Sequence, residues 1–163
     1  MTSSERGTSI PLLASPLGIA AGSIVLVGWA FDLRFLKQPL PTIASMKANA
    51  ALAFVLASHS LRFLATDRFR VFAGVLGASV ALLGLLTLSQ DVFGLDLGID
   101  ERLFSDPLAA ATLAPGRMSP VAAFCFVALG LALLASAYHT SAWLAQPPAL
   151  LSAFGGAVAL TGY

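Results

Sequence analysis

The chain has 163 residues, 58% of them hydrophobic and 10% charged, where ordinary soluble domains carry about 25% charged residues. Together with a mean hydropathy of +0.87, this leaves too little charge to solvate a globular surface and identifies an integral membrane protein. The net charge of +1 does not bear on nucleic acid, but no basic run suits binding to a phosphate backbone, so nucleic acid is not expected as a partner. The lone Cys125 excludes an intrachain disulfide and a multi-cysteine metal centre.

From Gly7 to Phe31 there is no charge for 25 residues, enough to cross a hydrocarbon core that takes about 20 helical residues. Arg6 is offset by Glu5 and the apolar run continues to Phe31, so the segment reads as a retained span rather than a cleaved leader. Pro11 and Pro16 suit a first helical turn, which places the span at 14–31. Gly18-Ile-Ala-Ala-Gly22 permits close approach of another helix, from this chain or from a second copy in a homodimer. Trp29 belongs at the lipid–water interface. Pro39 and Pro41 then keep a loop over 32–42 from being regular helix.

A second span is expected at 43–63. Only 14 uncharged residues separate Lys47 from Arg62, so both side chains are expected to reach outward to headgroups along their aliphatic stems. The turn 62–70 carries three arginines. A third span follows at 70–90, with Gly74, Gly77 and Gly84 for close packing. Residues 91–117 hold Asp91, Asp96, Asp100, Glu101 and Asp106 among apolar residues. This pattern reads as a structured cap, with a short interfacial helix around Asp100–Ala111. The last 46 residues are uncharged and allow spans at 118–138 and 145–163, with the break at Tyr138–Trp143 and Pro147-Pro148 opening the fifth span.

The stretch Met46–Leu61 is echoed 72 residues later by Met118–Leu134. Ala50, Ala51, Phe54 and Val55 align with Ala122, Ala123, Phe126 and Val127. Each half reads as a helix, a loop with Asp and Pro, and a methionine-led alanine-rich helix. Each unit contains two crossings, so the repeats are expected to be parallel, with both long loops on one face. The expected fold is an all-α polytopic membrane bundle of two parallel helical-hairpin repeats plus a fifth span. Arginine density in 62–70 places that turn and the N-terminus in the cytoplasm, with loops 32–42 and 91–117 outside. Five spans leave Tyr163 outside with no basic anchor, as expected of a chain that stops before a sixth span.

Four stretches carry a family resemblance: Gly28-Trp29 with Asp32, PLPTIASMKANAALAF, LLTLSQDVFGLDLGIDERLF and APGRMSPVAAFCFVALGLALL. Together they resemble the N-terminal multi-span region of bacterial membrane-bound signalling proteins, over residues 24–163. The most specific parts are Gly94-Leu-Asp-Leu-Gly-Ile-Asp100 and Pro115-Gly-Arg-Met-Ser-Pro120. The resemblance implies a sensor domain in the bacterial inner membrane. It also implies a cytoplasmic PAS, histidine-kinase or diguanylate-cyclase module in cis and action as a homodimer, the usual habit of such proteins. The family pattern Met-x-Pro-Asn is split here: the first copy keeps Asn49 but has Ala48, and the second keeps Pro120 but has Val121. A symmetric pair of ligand sites is therefore not expected.

The candidate ligand-binding residues are Trp29, Asp32, Met46, Asn49, Asp96, Asp100 and Met118, all near the two long loops. An oxygen-rich cation site among the acids is the alternative to a solvated cap paired with Arg34, Lys37, Arg102 and Arg117. The cap is preferred because no calcium-loop spacing is present. Gln90 and Asn49 are amides at the edges of apolar helices, suited to bonding a neighbouring helix. His59 and His139 would share a depth near the cytoplasmic ends of their helices and could hold haem or flank a quinone. Unliganded interface histidines are commoner, so no cofactor is expected. Catalytic and nucleotide-binding motifs are missing, and this chain is not expected to be an enzyme. The expected role is signal input, with a transporter or channel fragment, or a haem or quinone protein, as the alternatives.

Overall fold

A computed structural model describes residues 3–38, 45–106 and 114–138, together with Ala149. In lipid each backbone N–H and C=O must find its partner within the chain, which forces apolar segments into helices. Among the described residues four helices are long and apolar enough to cross a membrane: Pro11–Ala30, Ala48–Ala65, Arg70–Phe93 and Pro120–Ala137. Even the 18-residue members are about 27 Å long, close to the ~30 Å of a hydrocarbon core. The chain is a helical membrane protein. The expected fifth span, 145–163, lies outside the described residues apart from Ala149.

Helix α1 runs over Ser3–Ala30 and contains both Pro11 and Pro16, so it begins before the prolines rather than at them. Pro16 has no N–H to give to the Leu12 carbonyl four residues back. Arg62 Nη1 donates to that carbonyl at 3.4 Å. The helix ends with Asp32 in the left-handed region at φ 52°, and the Leu33 N–H returns to the Gly28 carbonyl at 2.8 Å. That six-to-one bond defines a Schellman ending. One turn of helix, α2 (Arg34–Lys37), follows.

Helix α3 is Ala48–Ala65 and ends the same way, with Asp67 at φ 50° and Arg68 N–H bonded to the Phe63 carbonyl at 3.1 Å. Helix α4 is Arg70–Phe93. Gly94 at φ 62° and Leu95 N–H on the Gln90 carbonyl at 3.0 Å close it. Helix α5 is Pro120–Ala137, with Pro120 in its first turn and the Ser119 hydroxyl accepting from Ala122 N–H, the N-terminal arrangement expected of serine followed by proline.

Helix α1 packs on α3, and α4 packs on α5, while α3 also meets α4 and α5. The described parts of both long connections lie at one end of the bundle, termed the loop end. The 66–69 turn and the C-terminus of α5 lie at the other, the turn end. Lipid tails are as apolar as the side chains, so close backbone approach through small residues holds such helices together. A Cβ on Gly22 would sit 2.7 Å from Val55 Cγ2 and 2.8 Å from the Ala51 carbonyl. One on Gly84 would sit 2.6 Å from the Ala123 carbonyl and 2.9 Å from Val127 N. Gly18 faces the Ser58 hydroxyl, so the Gly18/Gly22 motif is occupied by α3. The buried cluster joins Ala50, Ala53 and Ala57 of α3 to Val80 of α4 and Met118, Ala123, Phe126 and Leu133 at α5. Phe54 and Phe126 meet edge-to-face at 5.6 Å.

At the turn end Ser60 Oγ donates to the Ala73 carbonyl. Arg70 donates to the Ser136 and Ala137 carbonyls. The last turn of α5 has no basic residue of its own, so Arg70 serves as its cation.

Candidate functional site

The polar side chains of the bundle gather at the loop end, and Asp100 is their centre. Helix α4 carries Gln90 into its last turn, where it is fully buried. Its Oε1 accepts from Leu97 N–H at 2.7 Å, which folds the chain back over the helix end. Its Nε2 donates to Asp100 Oδ2 at 3.1 Å. Asp96 Oδ1 accepts from Gly98 N–H at 2.9 Å, shaping the turn between them. Asp100 Oδ2 also accepts from Arg117 Nε at 2.7 Å, and Oδ1 from Asn49 Nδ2 at 3.5 Å. One buried carboxylate thus joins α3, α4 and the segment leading into α5.

Arg117 reaches further, through Nη1 to Asp91 Oδ1 at 3.1 Å and Nη2 to the Leu95 carbonyl at 3.4 Å. Burial lowers its affinity for the proton, but the hydrogen bonds it donates to Asp100 and Asp91, with the charge of both carboxylates, outweigh burial and hold the guanidinium above its ordinary pKa. Gly116 before it has φ 73°, and a Cβ there would meet the Asp100 carbonyl at 2.7 Å. Only glycine serves both the conformation and the close approach.

Beside this cluster opens a cleft of about 460 Å³, lined by Gln90, Asp91, Gly94, Leu95, Asp96, Gly98, Asp100, Glu101, Ala114, Pro115 and Arg117. Asp100 and Arg117 form part of its wall and are bonded to each other and to the helices. Asp91, Asp96 and Glu101 add carboxylates to the lining. Among the described residues no group of three His, Cys, Asp or Glu side chains is placed to hold a metal ion.

The same loop also reaches the first hairpin. Lys47 Nζ pairs with the buried Asp106 at 2.6 Å; it bonds this carboxylate in place of the headgroups expected for it. Asp106 N–H donates to Glu101 Oε1 at 2.7 Å. Phe104 stacks on Trp29 at 6.4 Å. Trp29 Nε1 donates to the Met46 carbonyl at 3.0 Å, and Lys37 Nζ lies 4.4 Å above the indole. Lys37 also bonds Asp32 at 2.6 Å. That hydrogen bond, with the ammonium's charge, holds the exposed Asp32 carboxyl below its usual range.

The sequence candidates therefore separate into three groups. Asn49, Asp96 and Asp100 belong to the Asp100 cluster, though Asn49 is buried beneath it and does not line the cleft. Trp29, Asp32 and Met46 form the neighbouring Trp29–Lys37 cluster. Met118 is buried in the apolar core and does not line the cleft. His59 bonds its own helix, Nδ1 to the Val55 carbonyl at 2.9 Å, and His139 lies outside the described residues. Residues 100–106 form turns and extended chain rather than helix, because the Asp100 and Asp106 side chains are tied down in different directions. The remainder of the expected interfacial helix lies outside the described residues. Gly116 and Lys47 were not among the candidates, and Arg117 was expected only as a cation paired with the acids of the cap, which it is. Arg117 is the one cation of residues 103–163, and that isolation next to five acids is the signal that points to it. Compared with known proteins, no family model, no curated protein and no solved structure matches the chain.

Proposed function

We propose that this chain is a membrane-embedded signal-input domain. In this reading it consists of two parallel hairpin repeats, α1/α3 and α4/α5, followed by a fifth span. The matching glycine contacts support the repeat: Gly22 on Ala51 and Val55, and Gly84 on the residues 72 positions later, Ala123 and Val127. The domain would sit in a bacterial inner membrane with the arginine-rich turn end in the cytoplasm, and would act on an output module in cis.

The observation that carries the sensor reading is the junction at Asp100. A single carboxylate beside an open cleft bonds α3, α4 and the approach to α5. Occupancy of the cleft by a small polar stimulus would bias all three helices together. Packed helices answer such bias by shifts of about 1–2 Å. Self-association as a homodimer would use a surface other than Gly18 and Gly22, since these face α3.

The test is to label the turn end at Thr66 and Tyr138 with nitroxides in nanodiscs and replace Asp100 by Asn. A sensor responds with a changed label-to-label distance distribution and unchanged helix content. An unchanged distribution in a folded Asp100→Asn chain rules out transmission through this junction.

A further inference from the structure

We propose that the turn end carries a binding site for an anionic phospholipid headgroup, built from Arg62, Arg68 and the phenylalanines beside them. Residues 62–70 hold three arginines and one aspartate. The ion pairs divide them unequally. Asp67 bonds Arg70 at 2.7 Å, and Arg70 is further held by the α5 carbonyls. Among the described residues no carboxylate pairs with Arg62 or Arg68. Arg62 uses one N–H on the Leu12 carbonyl, and Arg68 only overlies the Phe69 ring, at 5.8 Å. Two exposed guanidiniums therefore remain within one turn of chain.

The backbone sets what surrounds them. Asp67 and Phe69 both take positive φ, 50° and 54°, a conformation that costs a non-glycine residue on the order of 1–2 kcal/mol. The reversal leaves Phe69 60% exposed, and it touches Phe63 and Phe72 edge-on at 5.7 and 6.2 Å. Val71, Phe72 and Val75 continue the apolar surface along the exposed side of α4, so it runs without a break onto the lipid-facing wall. An apolar ring cluster with the Arg68 guanidinium over one of its rings and Arg62 exposed in the preceding helix turn matches a phospholipid, whose phosphate lies above its acyl chains. Guanidinium is also the side chain best shaped for phosphate oxygens. The loop end differs in its charge balance, since five bases there face six acids.

The experiment is native mass spectrometry of the full chain in neutral detergent, titrated with phosphatidylglycerol. Each arginine near a membrane surface contributes on the order of 1 kcal/mol, so Arg68→Gln is expected to weaken the adduct about 5-fold and Arg62→Gln with Arg68→Gln about 30-fold. Arg34→Gln with Arg102→Gln removes equal exposed charge from the loop end and is expected to change it less than 2-fold, on the order of nonspecific variation. Excess inorganic phosphate is expected not to displace the lipid. The proposal is overturned if Arg68→Gln binds as the parent does, if the loop-end pair loses as much, or if phosphate competes fully. Should the double variant fail to fold, Arg68→Gln alone decides, since Arg68 makes no contact with another helix through its side chain among the interactions described.

Discussion

Asp100 accepts hydrogen bonds from three parts of the chain that lie 51, 10 and 17 residues away, so its loss deprives Arg117 Nε and Gln90 Nε2 of their acceptor. Removing one member of a buried ion pair costs about 3–5 kcal/mol. Asp100→Ala is expected to fall near the lower figure because Asp91 still holds Arg117, and Asp96→Ala, on the exposed rim, to stay within about 0.5 kcal/mol. Unfolding in mild detergent measures both. Two glycines separate conformation from space. Gly94→Ala meets open space and bears only the left-handed backbone cost, whereas Gly116→Ala meets the Asp100 carbonyl as well. The second is expected to be the more destabilising by at least about 1 kcal/mol. Asp32 supplies the pH dependence. Its folded pKa is lowered, so the Lys37 contact contributes above the unfolded value of about 3.9 and is lost only as pH falls through the still lower folded value. In a Trp143→Phe chain, Trp29 emission should be flat from about pH 8 to 5 and change below about pH 4; Asp32→Asn should show the altered emission already at neutral pH. These residue-level facts were partly legible in the sequence. Asp100, Asn49 and Gln90 stand out as polar groups beside apolar runs, but their meeting depends on how the loop crosses α3. Asp32 and Phe69 at positive φ leave no mark in the sequence, because neither is a residue that the left-handed region requires.

At the scale of the helices, the apolar runs made all four described spans legible, since a segment in lipid has helix as its only way to pair its backbone. Their ends were less so. The prolines of α1 suggest a start, yet the helix continues through them because Arg62 supplies the Leu12 carbonyl with the donor that Pro16 lacks. This account can be tested by a double-mutant cycle. Arg62→Gln is expected to cost about 0.5–1 kcal/mol in the parent chain. It is expected to cost nothing measurable in a Pro16→Ala background, where residue 16 regains its own N–H. Equal costs in both backgrounds would assign Arg62 to some other contact. The glycine motif of α1 was legible as a close-packing surface, but not its partner: Ser58, Val55 and Ala51 could be identified only once α3 was in place. Gly22→Leu and Gly84→Leu are expected to destabilise by similar amounts, about 1–3 kcal/mol each, because each drives a side chain into the backbone of its facing helix. Similar losses would also support the proposed repeat.

The whole molecule is fastened differently at its two ends. At the turn end the helices are tied directly, Ser60 to Ala73 and Arg70 to Ser136 and Ala137. At the loop end the hairpins are tied through residues 95–106, which bond Gln90 and Arg117 on one side and Asn49, Lys47 and Trp29 on the other. Helix α1 meets only α2 and α3 among the described elements, so nothing else bridges it to the second hairpin. A clasp of this kind lets the loop end loosen while the helices stay bonded to one another at the turn end, so that under the proposed signal-input reading they shift there as packed bodies. Lys47→Met tests it, because it removes the one ion pair between the clasp and α3 while keeping an apolar stem of similar length. Asp106 is then buried without its cation, at a cost of about 3 kcal/mol concentrated at the loop end. Hydrogen exchange is expected to quicken at 100–106 and in the first turns of α3 and α5. The amides around 60–73 and 132–137 should keep their protection. Faster exchange at both ends together would mean that the bundle opens as one unit, and a stimulus at the cleft could not then move the loop end independently of the rest.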